Sequence, residues 1–178
     1  MGITILGLGP GNPSLLTREA WALLEAADEV YLRTAQHPTV EGLPPGLRIY
    51  SFDDLYEAAQ TFDEVYEAIA RRVLDLGQRP QGVLYAVPGH PWVGEATTRR
   101  ILALAREAGI PVRIVEGLSF LEPTFSALAL DPLDGLQVVD ALDLARQHHP
   151  QVVPERPVLV GQLYSRPLAS DVKLTLMA

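Results

Sequence analysis

Three times along this chain a short apolar, β-branched run stops at a glycine turn. Residues 1–8 (MGITILGL) lead into Gly7, Gly9 and Gly11, residues 82–87 (GVLYAV) into Gly89 and Gly94, and residues 111–115 (PVRIV) into Gly117. Runs this short, rich in Ile and Val and ended by glycine, read as buried strands. Helical signals separate them. After Thr17, the side chains of Trp21, Leu23, Leu24 and Ala27 share one side, while Arg18, Glu19 and Glu25 take the other. Thr17 suits an N-cap, because its hydroxyl can accept from an orphan N–H of the first turn. Residues 29–32 and 47–50 read as the second and third strands, the latter after the turn-rich GLPPG. A helix over 61–77 opens with a capping box, Thr61 and Glu64, and is expected to close on Gly77 as its C′ residue. Another helix is predicted over 95–108, ending at Gly109, and a short apolar one runs to about residue 130. Strand and helix alternating in this way predict an α/β fold, a doubly wound, mostly parallel sheet with helices on both faces. Ligands of such sheets bind at the carboxyl ends of the strands, where the three glycine turns are expected to meet on one rim.

The texture changes at Asp131. Residues 131–156 are rich in Asp, Pro and Gln and read as a surface linker with one helical turn. A strand over 158–161 and a helix over 168–177 follow. Two elements cannot bury an apolar face by themselves. The last segment therefore docks on the first domain, pairs with another subunit, or begins a further domain; the expected organisation is an α/β domain over 1–130, a linker over 131–156, and the truncated start of a second α/β domain over 157–178. The apolar side of that last segment needs a cover, which makes a homodimer the expected assembly.

Composition removes several classes of function. There is no cysteine, which excludes disulfides and thiolate metal sites. A net charge of −8 opposes binding to nucleic-acid phosphates. No run approaches a membrane span, and the start of the chain lacks the basic region of a signal peptide, so the cytoplasm is the expected compartment. Lys173 is the only lysine among 14 basic residues, and there are 15 prolines, a bias that points to a heat-adapted or GC-rich source.

The first glycine loop, GLGPGNPSLLT, invites several readings. A phosphate-cradling Walker A loop needs Gly-Lys-Ser/Thr, and the loop has no lysine. A dinucleotide fingerprint places its third glycine three residues after the second, whereas Gly11 follows Gly9 by two and Pro13 intervenes. Arg33 at the end of the second strand speaks against NAD and leaves NADP open. A plain tight turn also remains open. No Gly-x-Ser-x-Gly elbow supports hydrolase chemistry. His148 and His149 are adjacent and cannot share a helix face, so no metal site is expected. Asp53, Asp54, Glu57, Asp63 and Glu64 read as caps and a solvated face, and Trp21 and Phe62 as helix packing. Trp92 either flanks a ligand or covers the rim, and Tyr164 faces either solvent or a domain junction. At Gly89 and Gly117 a missing Cβ lets backbone approach a flat ligand, Pro88 and Pro91 stiffen their turn, and Ser119 offers a hydroxyl and a cap. The chemistry suggested is recognition of an adenosine by main-chain groups.

Taken together, GLGPGNPSLLT, PGHPWVGE and EGLSF resemble the tetrapyrrole (corrin/porphyrin) methylase family, which uses S-adenosylmethionine. The resemblance is nearest to the methylase-like domain that precedes a MazG-type nucleotide pyrophosphohydrolase in fused bacterial proteins, and LRTAQHPTVEGL, FDDLYEAAQTFDEVYEAIA and GQLYSRPLASDVKLTLM extend it along nearly the whole chain. It implies two α/β domains with S-adenosylmethionine in the cleft between them and a tetrapyrrole-like small-molecule acceptor on the open side. Carried over residue by residue, it implies cofactor contacts from Pro10, Gly89, His90, Val93, Ser119 and Phe120, and from Gln162 and Leu163 in the second domain. His90 stands where many members have Asp. The resemblance names no catalytic base, since displacement at an activated sulfonium methyl asks mainly for positioning. The alternative from another class is a non-catalytic ligand-binding or interaction module serving MazG-type nucleotide handling.

Overall fold

The computed structural model describes residues 1–147 and 149–177, so His148 lies outside the described residues. The chain divides into two compact units, Met1–Pro123 and Thr124–Ala178.

In the first unit, β1 (Ile3–Gly7), β2 (Glu29–Leu32), β3 (Arg48–Ser51), β4 (Val83–Val87) and β5 (Val112–Val115) form one sheet in the order β3-β2-β4-β1-β5, with every pair parallel. Side chains alternate along β1. Ile3 and Ile5 join Val83, Tyr85 and Val87 on one face, beneath Val65, Ile69 and Val73 of α3 (Phe62–Gly77) and Ile101 and Ala105 of α4 (Ala96–Glu107). Leu6 and Leu8 point the other way, with Ala86, Val30 and Leu32, against Ala20 and Leu24 of α1 (Arg18–Ala26). The central strands are buried on both faces, which is why they read as continuous apolar runs. β3 is the exposed edge.

The expected caps form. The Thr17 hydroxyl accepts from the Ala20 N–H at 3.1 Å, and the Thr61–Glu64 capping box is complete. Gly77 differs from its expected role. It lies inside α3, whose C-cap is Gln78, and a Cβ at Gly77 would run into the Ile3 side chain. The glycine is there for close packing against β1, not for a left-handed turn. Two short elements had no period to announce them, α2 (Asp53–Ala58) and a 3-10 turn over Pro38–Gly42.

In the second unit, the stretch expected as a linker carries β6 (Gln137–Asp140) and α6 (Ala141–Ala145). β6 pairs in parallel with β7 (Val158–Gly161), and Ala141 and Leu144 pack against Leu168 and Val172 of α7 (Arg166–Met177). Its aspartates are caps: Asp131 accepts from the Leu133 N–H, and Asp140 from the N–H groups of Leu142 and Asp143. A run of Asp and Pro that punctuates very short elements looks, in sequence, like a linker. α5 (Leu121–Leu128) spans the division between the units. Among the described residues no helix is long and apolar enough to cross a membrane.

Two substitutions test this packing. Gly77→Ala is expected to cost about 1–3 kcal/mol, because the new methyl must displace a core isoleucine. Thr61→Ala is expected to cost about 1 kcal/mol through loss of the cap. Urea denaturation of each variant against the parent reads both.

Candidate functional site

The strand order creates one topological switch. The connection after β1 leads to β2 by way of α1 on one face, and the connection after β4 leads to β5 by way of α4 on the other. The carboxyl ends of β1 and β4 therefore flank a crevice of the kind where α/β sheets bind ligands. The glycine turns meet there. Gly9 and Gly89 form an antiparallel bridge, in which the Gly89 N–H donates to the Gly9 carbonyl at 2.9 Å and the Gly9 N–H to the Gly89 carbonyl at 3.2 Å. Both residues are left-handed, at φ +73° and +69°. A Cβ on Gly117 would stand 2.6 Å from the Gly89 carbonyl oxygen and 2.9 Å from the Gly7 backbone, and one on Gly7 would strike the same oxygen. Gly7 and Gly117 are thus bare so that the three turns can pack on one another. Gly89 is different, since only the Ser119 Cα lies near its missing Cβ, at 3.9 Å.

Most of the residues implied for cofactor contact sit on this rim. Pro10 is half-buried between Gly9 and Gly11. In the turn after β4 the His90 Nδ1 accepts from the Trp92 N–H at 3.0 Å, and the Val93 N–H donates to the His90 carbonyl at 3.0 Å. An accepting Nδ1 leaves the proton of the neutral ring on Nε2. Trp92 itself is exposed. Ser119 is buried. Its hydroxyl donates to Glu122 at 2.8 Å and accepts from the Leu121 N–H, capping α5 as expected, and its N–H donates to Glu122 at 2.7 Å. Burial pushes the Glu122 carboxyl up, but its own N–H, the Ser119 contacts and the nearby His90 together hold it below the usual glutamate range. Phe120 is partly exposed beside Ser119. Gln162 and Leu163 follow β7 in the second unit, both exposed, Gln162 left-handed at φ +61°.

The sequence reading passed over a polar cluster beside this rim. Arg33, which follows β2, donates from Nη1 to Glu95 Oε2 at 2.9 Å, and the Glu95 side chain is 1% exposed. The other Glu95 oxygen accepts from the Thr97 N–H at 2.7 Å and from its hydroxyl at 2.5 Å, and that hydroxyl meets the buried Tyr85 hydroxyl at 2.9 Å. Glu95 thus neutralises the Arg33 charge that an NADP phosphate would need. Nearby, burial and then the Arg33 charge lower the His37 imidazole below 6.5, and burial pushes the Tyr56 phenol up to about 12. The cluster touches the first glycine loop, because Pro38 packs on Gly11 and the buried Thr39 hydroxyl donates to the Leu8 carbonyl at 3.1 Å. A lone arginine closing an apolar strand, EVYLR, was the available signal. Among the described residues no group of three or more His, Asp or Glu side chains is placed to hold a metal ion.

The profile describing tetrapyrrole (corrin/porphyrin) methylases matches residues 2–177. The chain belongs to this family. It is 39% identical over 181 residues to the uncharacterised protein YabN of Bacillus subtilis, a match covering 98% of this chain and 35% of YabN. It is 28% identical over 168 residues to a methyltransferase/type III borosin cyclic peptide precursor of Anomoporia bombycina, covering 90% of this chain and 19% of that protein. The chain thus spans about a third or less of these curated relatives. Among solved structures, uroporphyrin-III C-methyltransferase from Thermus thermophilus is similar at a TM-score of 0.60 and 30% identity, over 84% of this chain and 64% of that one. A second structure of that enzyme, complexed with S-adenosylhomocysteine, gives 0.54 and 26%, over 79% of this chain and 59% of that one.

Three outcomes test the site geometry. Glu95→Ala strands the Arg33 charge in a mostly buried position and is expected to cost about 3 kcal/mol in chemical denaturation. Gly117→Ala is expected to unfold at lower temperature, as its methyl pushes the β4 and β5 turns apart. Removing the hydroxyl with Ser119→Ala is expected to raise the Glu122 titration point toward 4.5, followed by carbon-detected NMR. Since the folded carboxyl is held low, its contacts stabilise the fold above that ordinary value. Their contribution fades as pH falls through the lower folded one.

Proposed function

We propose that this chain is the S-adenosylmethionine-binding part of a methyltransferase, with the cofactor held on the rim at the carboxyl ends of β1, β4 and β5. One observation carries the reading: in a chain of this family, the glycine turns after β1, β4 and β5 converge at the switch point, with Gly9 bridged to Gly89. The residues fit an adenosine-bearing sulfonium. The Gly89 N–H and carbonyl are both spent on Gly9, so this turn contributes shape and close approach rather than hydrogen bonds. His90 presents its Nε2–H to the ligand, and Pro10, Val93 and Phe120 supply small and apolar walls. Gln162 and Leu163 are the contacts proposed from the second unit. When bound, the cofactor supplies an electrophilic methyl on a positively charged sulfur. The protein's own task is to orient the acceptor and exclude water. The uroporphyrin-III C-methyltransferase similarity supports a tetrapyrrole-like acceptor. A cytoplasmic homodimer completes the reading.

A second reading is a module that binds without turnover and serves MazG-type nucleotide pyrophosphohydrolase function. It is favoured by the carboxylates of the rim. Glu95 is bound to Arg33 and Thr97, Glu122 to Ser119, and Asp53 to the Ala35 N–H and the Thr34 and Ser51 side chains, so these three are not poised to take a proton from an acceptor.

Calorimetric titration with S-adenosylhomocysteine, with NADP as the control, tests the first reading. Saturable binding to the former alone, weakened at least tenfold in Gly89→Val, is the expected result. No binding to a folded chain overturns it. Transfer of a labelled methyl group to any acceptor separates the enzyme from the binding module.

A further inference from the structure

The Arg33 cluster is built like a binding site. Charged groups this well buried are costly and are ordinarily satisfied in full. Here Glu95 is satisfied, with three donors on its two oxygens. Arg33 is not. Its Nε is buried and, like the buried Nδ1 of His37, has no hydrogen-bond partner among the described residues. The side chain is nonetheless 20% exposed, and its one side-chain hydrogen bond among the described residues runs from Nη1 to Glu95, so its remaining Nη N–H groups, rather than the enclosed Nε, can be reached from outside. A pair whose acceptor is fully engaged and whose donor has capacity left over is arranged to hold the donor in place for something else.

Charge decides what that ligand is. The Arg33 charge is neutralised at contact distance by Glu95. His37 and Tyr56 are uncharged at neutral pH, because burial holds the imidazole down and the phenol up. The formal sum over Arg33 and Glu95 is zero. A carboxylate or phosphate would lose its hydration here with no net attraction to offset it, whereas an uncharged oxygen acceptor gains an arginine N–H at no such cost.

We propose that Arg33, oriented by Glu95, is an acceptor-binding residue that donates to a carbonyl oxygen of an uncharged methyl acceptor. The role of this ligand as a methyl acceptor rests on the methyltransferase reading, but the pocket does not. Thr39 and Pro38, which follow His37 in the chain, tie this segment to the Leu8 and Gly11 backbone. Tyr56, kept protonated, is available as a second donor.

The test uses the full chain, with and without saturating S-adenosylhomocysteine, and follows the Arg33 Nε–H resonance in proton–nitrogen spectra. The signal is identified by its loss in Arg33→Lys. N-methylacetamide is the neutral probe and acetate the charged control. The amide is expected to move the resonance saturably, with acetate moving it about threefold less, the size of effect one partly exposed charge produces. Acetate moving the signal as far as the amide, or neither moving it, overturns the proposal. If Arg33→Lys does not fold, Glu95→Gln identifies the signal by shifting it and is judged by the same criterion. An amide response in a chain that binds no S-adenosylhomocysteine would leave the pocket standing and remove the methyltransferase reading. The reverse pattern would do the opposite.

Discussion

The architecture depends on a contact between three backbones. At Gly7, Gly89 and Gly117 the turns after β1, β4 and β5 approach so closely that a single methyl on either the first or the third would collide with the Gly89 carbonyl. Nothing larger than glycine lets the carboxyl ends of three parallel strands close on one another in this way. The bridge between Gly9 and Gly89 then fixes the spacing of β1 and β4 beyond the end of their regular ladder. The rim is rigid because main chain packs on main chain, with few side-chain rotamers to order. A ligand meeting it finds a surface already in place, which lowers the entropy cost of binding.

Around that rim the polar groups are sorted by whether their capacity is used up. Ser119 and Glu122 satisfy each other and the start of α5. His90 is locked by the Trp92 N–H, which selects its tautomer. In the Arg33 cluster buried capacity remains, at Arg33 Nε and His37 Nδ1, which have no partner among the described residues. The rim thus separates into a part that shapes and a part that still has hydrogen bonds to give.

Much of the first unit was legible because its signals are local. β2 falls where the apolar run places it, as β7 does in the second unit, and Thr17 and Thr61 cap as their residue types suggest. The convergence of the glycine turns followed from alternation alone, since parallel strands bring all their carboxyl ends to one side. What escaped was long-range or ambiguous. Gly77 sits at a helix end whether it serves a turn or a tight contact, and only Ile3, distant in sequence, decides between them. The aspartates of residues 131–145 look the same in a linker and as caps. The Arg33–Glu95 pair joins residues 62 positions apart, and a single sequence holds no trace of it.

The strand order also has a consequence for how the chain acquires its shape during synthesis. β1 is an interior strand and the first of the five to be made, yet Ile3 pairs with Val83 on one side and Val112 on the other. At ribosomal elongation rates of roughly 5–20 residues per second, β1 waits several seconds for either neighbour. Over that interval its isoleucines and leucines have no strand beside them, and the β2–β3 pair is complete with nothing to dock on. The ladder that anchors the sheet is therefore among the last to form, which exposes a nascent chain of this topology to chaperone capture and to aggregation before β5 emerges.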